Sequence, residues 1–312
     1  MSGAGSSIST DAEGYQATLH DMLDLVVLHP RNFHARLTWV DLPHLQLLRA
    51  NESSARVAFL RLPPEQVFVY FPTRRGPVLV HGGLEVQLGD LIWHGHDGPT
   101  HQRTTAASRW GSVSVSPEAL ISFGRSIAGK ALSAPTYPRL VRPAGEENRQ
   151  LLRLHAQAAR IAETSPDRIV NPAVMRALDQ DLMALLVSCL ATGDVPADDP
   201  AREQQVRLCV QFEHVLGATP FRLLSVREVC EALGTSENKL RRSCLRMLGM
   251  GPARYQHLRR LKLVRAALRR LGVEGRELGE IVARYGFTDL HHFVADYWHA
   301  YGEMPSVPPR NK

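Results

Sequence analysis

The sequence predicts a two-domain α+β protein: an amino-terminal β-sandwich or barrel with flanking helices, then an all-α half built from two helix-turn-helix units. Three observations carry this. Between about Phe33 and Val115, short runs of β-branched and aromatic residues alternate with Pro and Gly breakers. After residue 145 the apolar residues fall at helical spacing instead. The last hundred or so residues repeat themselves at an offset of 52 to 53 positions. At 312 residues the chain is also long for a single core.

The β part rests on segments such as Val57–Leu62, Gln66–Phe71 and Val78–His81. They are separated by Pro63-Pro64, Gly76-Pro77, Gly82-Gly83, Gly89-Asp90 and Gly98-Pro99. Short strands with regular turn signals fit a sandwich, jelly roll or small barrel. Two helices follow. In 147–163 the stripe is Leu151, Leu154, Ala158 and Ile161; in Pro172–Leu190 it is Val174, Leu178, Leu182, Leu185, Leu186 and Cys189. Core packing is the first use for either stripe and a dimer seam the second. The small, acidic, proline-broken stretch 191–201 is a linker. The expected organisation is a flexible tail at 1–20, a domain at 21–190 (β part about 33–125, helices about 145–190), and a helical half at 202–312.

No apolar run approaches the roughly 18 residues of a membrane span, and the first ten residues lack the basic start and apolar core of a secretory signal. Cys189, Cys209, Cys230 and Cys244 stand singly, as buried thiols in a reducing compartment do. A cytoplasmic protein without membrane contact is expected. Its charge is uneven: residues 1–201 are net −2, residues 202–312 net +8, and positions 239–270 hold 11 basic residues and no acidic one. A solvated helix face usually mixes signs, so a polyanion partner is expected there.

In the repeat, Glu228-Val-Cys-Glu-Ala-Leu-Gly234 aligns with Glu280-Ile-Val-Ala-Arg-Tyr-Gly286. Leu240, Cys244, Leu248, Gly249 and Pro252 then align with Phe293, Tyr297, Tyr301, Gly302 and Pro305. Ser225-x-x-Glu228 is a capping box opening a short helix through Leu233. Gly234 supplies the turn because it tolerates positive φ. Thr235-Ser236 then caps a second helix, with Leu240, Cys244 and Leu248 inward and Gly249 at its end. In the second unit a helix over 278–284 leads to Gly286, and Thr288-Asp289 caps a helix ending near Tyr301. A helix that enters the major groove offers its early outward positions to base edges. Those are Asn238, Lys239, Arg241 and Arg242 in the first unit, and Leu290, His291, His292 and Ala295 in the second. Between the units Pro252–Arg270 reads as one long helix. Tyr255, Leu258, Leu261, Val264 and Leu268 form one side, with Arg254, Arg259, Arg260, Lys262, Arg265, Arg269 and Arg270 around the others. If it holds the two readers about 34 Å apart, both meet one face of a duplex.

Residues 224–306 resemble the double helix-turn-helix domain of the AraC/XylS family of bacterial transcription regulators. The resemblance is carried by Leu224-Ser-Val-Arg-Glu-Val229, LGMGPARYQHLRRLKLVRAAL (248–268) and EIVARYGFTDLHHFVADYWHAYGEMPS (280–306). In style, GMGPARYQ with HHFVADYWHAYGEMPS is similar to the ethanolamine-operon regulator branch, as is LHPRNFHARLTWVDLPHLQLLRA (28–50). The resemblance implies a cupin-like sensory or dimerisation domain followed by a DNA reader. Asn238, Arg241 and Arg242 become base-contact candidates in the first unit and His291 and His292 in the second. The other implied DNA contacts are Ser236, Lys239, Arg246, Arg259, Lys262 and Thr288. Implied partners are promoter DNA, a small-molecule effector, a second copy of the chain, and RNA polymerase if the protein activates. Two departures stand out: Cys244 occupies a usually aromatic position, and Ala295 one that is often Arg. The first unit is therefore expected to carry more of the affinity.

One stretch invites a different reading. Ile92-Trp-His-Gly-His-Asp-Gly-Pro-Thr-His101 holds three histidines, and His-x-His on a strand points both rings to one face. A metal-binding cupin has a Glu three or four residues after the second His and a third His on a later strand. Here His96 is followed by Asp97-Gly-Pro-Thr, and after His101 the next His is His155. No metal and no cofactor is expected. Trp93, His94, His96 and His101 are instead candidate effector-lining residues, with ordinary turn histidines as the plainer reading. Gly-x-Ser-x-Gly, Gly-x-x-x-x-Gly-Lys and His-Glu-x-x-His are all missing, so no enzyme is expected. A metal-dependent enzyme with a DNA-binding appendage and an effector-blind DNA-binding dimer stand as alternatives.

Overall fold

The computed structural model describes residues 3–19, 22–95, 98–143, 145–270 and 278–305. Among the described residues twelve strands form two antiparallel sheets. The larger has the order β1-β3-β4-β11-β6-β9-β12: Ala4–Ser9, Ala35–Asp41, Leu45–Glu52, Ser108–Val115, Val67–Pro72, Leu91–His94 and Arg139–Val141. The smaller has the order β2-β5-β10-β7-β8: Leu23–Val27, Arg56–Leu60, Thr100–Thr104, Leu79–His81 and Leu84–Val86. The expected antiparallel sandwich is present.

Residues alternate between two cores, because successive side chains on a strand point to opposite faces. In β6, Phe68 and Tyr70 enter the space between the sheets with Leu37, Ile92 and Trp110. Val67, Val69 and Phe71 point the other way, against the helices. Those helices are α2 (Pro117–Ala128), α3 (Glu146–Thr164), α4 (Asp167–Val170) and α5 (Pro172–Thr192). A strand covered on both faces reads as an unbroken apolar run, and Val67–Phe71 is one. Gly111 in β11 permits the close approach of α3, since a Cβ there would stand 2.6 Å from the His155 ring.

Three expected spans are corrected. Residues 3–19 are no tail: β1 pairs with β3 along its full length, and Tyr15 of α1 (Ala12–Thr18) is buried. The β part also extends past 33–125 at both ends, through β2 and β12. The linker shortens to 193–199, because α5 runs to Thr192 and α6 (Pro200–Ala218) opens on its cap Asp199. It is pinned by a bridge between Arg142 and Asp194.

The remaining helices are α7 (Val226–Leu233), α8 (Glu237–Leu248), α9 (Pro252–Arg270), α10 (Leu278–Arg284) and α11 (Leu290–Tyr301). They have two cores joined by α9. Its start contributes Tyr255 to a cluster with Phe212, Val229, Leu240 and Cys244. Its later turns contribute Leu261, Val264 and Leu268 to a cluster with Ile281, Phe293 and Tyr297. Val26 and Val57, from the outer face of the smaller sheet, belong to the first cluster. The helical half therefore docks on that sheet. All four cysteines are free and buried, and no described helix is long and apolar enough to cross a membrane.

Candidate nucleic-acid interface

The first unit forms as its local chemistry dictates. Ser225 caps α7 and the Glu228 side chain returns to the Ser225 backbone, which completes the capping box. Gly234 turns the chain at φ 58°, where a Cβ would be strained. Ser236 caps α8 by accepting from Lys239 N, and Leu240, Cys244 and Leu248 face the core. In the second unit Gly286 has φ 76° and Asp289 caps α11, accepting from the backbone of His291 and His292. Thr288 lies one residue outside that cap and is exposed.

This geometry leaves Asn238, Lys239, Arg241 and Arg242 exposed together on α8. His291 and His292 are exposed at the start of α11, with His292 3.6 Å from Asp289. The other basic residues of 239–270 behave differently. Lys262 pairs with Asp24, Arg259 is 3.3 Å from Glu213, and Arg269 is 3.3 Å from Glu13. Arg265 lies between Glu13 (3.2 Å) and Glu303 (3.0 Å). Arg260 is buried, donating to the Tyr285 carbonyl and stacking 4.3 Å over the Phe287 ring. Arg246 is 3.1 Å from Asp199. Of the expected DNA contacts, Lys262, Arg259 and Arg246 are thus held by carboxylates in this conformation. The run needs no acids of its own because distant segments supply them. Among the described residues only Lys239, Arg241, Arg242, Arg254 and Arg270 of the eleven lack a carboxylate partner or buried carbonyl. Three of those five stand on α8.

The effector-lining expectation is also corrected. Trp93 points away from the inter-sheet space, into the helix-facing core. His101 faces out of the smaller sheet, its Nε2 3.2 Å from Glu213 of α6. His96 lies outside the described residues. Only His94 enters the space between the sheets, and a hydrogen-bonded chain fills the space around it. Glu52 accepts from Tyr15 (3.0 Å), Trp110 (2.9 Å), Ser108 (2.9 Å) and Arg56 Nε (3.0 Å). Arg56 donates 2.6 Å to Gln102 Oε1, whose amide reaches His81 Nδ1 at 3.2 Å. His81 Nε2 lies 3.2 Å from His94 Nδ1, and His94 Nε2 3.3 Å from the Gly98 carbonyl. A donor–acceptor chain in this order requires both imidazoles neutral, each with its proton on Nε2. Burial holds them so: His94 is pushed down to about 4, and His81 falls well below its usual value, with His94 and Arg56 adding to the burial. Among the described residues no group of three His, Cys, Asp or Glu is arranged to hold a metal.

Sequence reasoning missed His81, Arg56, Glu52 and Glu213. Alternation along β5, Arg-Val-Ala-Phe-Leu, was the available signal for Arg56, because Ala58 and Leu60 share its inward face. Nothing local marks Glu213, whose partners lie 112 residues before it and 42 and 46 after it.

Comparison with known proteins finds several likenesses. Over 148 residues the chain is 30% identical to a protein of Escherichia coli K12 named as an uncharacterized HTH-type transcriptional regulator, YidL. The match takes in 47% of this chain and 46% of that protein, so the chain spans about half the length of the curated relative it matches. The structure of the AraC-like transcriptional activator CuxR aligns at 15% identity with a TM-score of 0.44, covering 90% of this chain and 99% of that one. A probable AraC family regulator from Rhodopseudomonas palustris aligns at 25% identity with a TM-score of 0.29, over 33% of this chain and 92% of that one. The family model described as a helix-turn-helix domain matches residues 229–308, and with the helix pairs α7–α8 and α10–α11 in place that region is a helix-turn-helix domain.

Proposed function

We propose that the protein is a sequence-specific DNA-binding transcription regulator whose amino-terminal barrel responds to a small molecule. The single observation that carries the DNA reading is the placement of uncompensated charge. Five of the eleven basic residues of 239–270 are paired with carboxylates of the protein, while among the described residues Lys239, Arg241 and Arg242 stand without one beside Asn238 on the helix that a helix-turn-helix presents to the major groove. Asn pairs with adenine and Arg with guanine through two hydrogen bonds each. The name of the Escherichia coli relative and the likeness of 224–306 to AraC/XylS regulators point the same way. Likeness to the ethanolamine-operon branch raises a small amine as one effector class. A second copy of the chain and, for an activator, RNA polymerase are the further partners of this reading.

The test is binding of the full chain to sites selected from random duplexes. Arg242→Ala costs about 1–3 kcal/mol on the selected site and relaxes preference at one position, with little loss on scrambled DNA. Lys262→Ala, already held by Asp24, leaves the dependence of affinity on salt unchanged, because it releases no counterions from the duplex. Equal losses for Arg242→Ala on selected and scrambled DNA would remove its base-reading role.

A further inference from the structure

The filled barrel interior directs attention to its open end. There a cleft of about 670 Å³ is bounded by the β1–β3 edge, the β6–β7 loop and the β10–β11 turn. Trp110, Leu79 and Pro72 give it an apolar floor, and Arg36, Arg74, Arg75 and Arg109 line it with positive charge. The size suits a small organic molecule.

The charge of this cleft is only partly offset. The buried carboxylate at its floor, Glu52, is committed to Arg56 and to three further donors, so it offers nothing to the arginines. Arg36 has Glu163 at 3.8 Å. Among the described residues Arg74, Arg75 and Arg109 have no carboxylate in ion-pair range. Strand register crowds the like charges further, since Arg36 and Arg109 both pair with Asn51, one on each side of it, and so share a sheet face. Burial lowers the pKa of the neighbouring Arg49, with Glu163 opposing the shift and Arg109 and Arg160 adding to it. Repulsion of this kind raises the free energy of the empty site and is relieved by an anion. Planar guanidiniums also match carboxylate and phosphate oxygens two at a time.

We propose that this cleft binds a small organic acid, a carboxylate or phosphate ester on an apolar body. The anion sits among Arg36, Arg75 and Arg109, and the body reaches round the end of the sheet toward Pro72 and Trp110, which share its opposite face. This rests on the reading of the barrel as the ligand-responsive half, and it selects against a simple amine. An ammonium group would meet four guanidiniums and no available carboxylate.

The experiment is calorimetric titration of the full chain, without DNA, using phenyl phosphate, benzoate, benzyl alcohol and ethanolamine. The two anions bind while benzyl alcohol and ethanolamine do not, and Trp110 fluorescence changes with the same midpoint. Arg75→Ala and Arg109→Ala each weaken phenyl phosphate by about tenfold or more, as loss of a charge-assisted pair requires, while Arg109→Lys retains part of it. Arg153→Ala, an exposed arginine far along α3, changes nothing. Silence from both anions up to about 10 mM overturns the proposal, as does equal binding of benzyl alcohol or anion binding that survives both alanine variants. Because no DNA is present, failure of the titration leaves the DNA reading standing.

Discussion

Glu213→Ala destabilises the folded chain by about 3–5 kcal/mol in urea titrations followed by tryptophan fluorescence. Glu213 is 3% exposed and sits where the two halves meet. One oxygen lies 3.2 Å from His101 Nε2 of β10 and accepts from the Tyr255 hydroxyl of α9; the other is 3.3 Å from Arg259 Nε. Burial raises the carboxyl's pKa, and His101, Arg259 and Tyr255 more than reverse that, so it stays ionised. Cutting it to Ala strands a guanidinium and two polar groups where water does not replace the carboxylate, which is the costly way to break a buried pair. Glu213→Gln keeps hydrogen-bonding capacity and loses only the charge, so its cost is smaller. A loss below about 1 kcal/mol for Glu213→Ala would mean the halves are not joined through this group.

The second large effect is acid sensitivity. Burial pushes His94 to about 4 and His155 to about 3. His155 lies against the Leu48 carbonyl at 3.0 Å, with Arg49 adding to its depression. In the unfolded chain both titrate near 6.5. As pH falls below about 6.5 the unfolded state takes up protons that the folded state refuses, so folded stability drops as pH drops. The contribution is fully present above about 6.5 and is lost progressively down to the folded values. At pH 5 each of the two costs about 2 kcal/mol, and about 4 together. His81 adds in the same direction. Asp24, whose carboxyl burial raises but Lys262 and Arg259 more than bring back down, loses stability only below about pH 4, so the window above that belongs to the histidines. Urea midpoints at pH 7 and pH 5 check this, and His155→Gln removes part of the difference. Equal midpoints would show that the histidines are not held neutral in the core.

The helical half was legible because its signals are local. A capping box, two turn glycines and an apolar stripe at i, i+4, i+8 fix α7, α8 and α11 within a few residues of one another, and the structure places Ser225, Gly234, Ser236 and Asp289 in those roles. The barrel was legible as strands, but the facing of its side chains was not. Grouping Trp93 and His101 with His94 as candidate lining residues does not fix which way each points: Trp93 faces the helices, and His101 faces Glu213 of α6. The amino-terminal segment was misread as a tail because Ser- and Gly-rich β1 has little intrinsic strand preference and gains its order by pairing with β3. The long basic run was half misread for the same reason. Its counter-charges, Glu13, Asp24 and Glu213, lie far away in sequence and meet it only after folding.

The direct test of the paired-reader claim is a hydroxyl-radical footprint of the full chain on a selected duplex, repeated with Arg241→Ala/Arg242→Ala and with His291→Ala/His292→Ala. Two protected patches about one helical turn apart on one face are expected, the first pair of changes erasing one patch and the second pair the other. A single patch, or protection spread evenly over any duplex, would contradict two helices reading bases in concert.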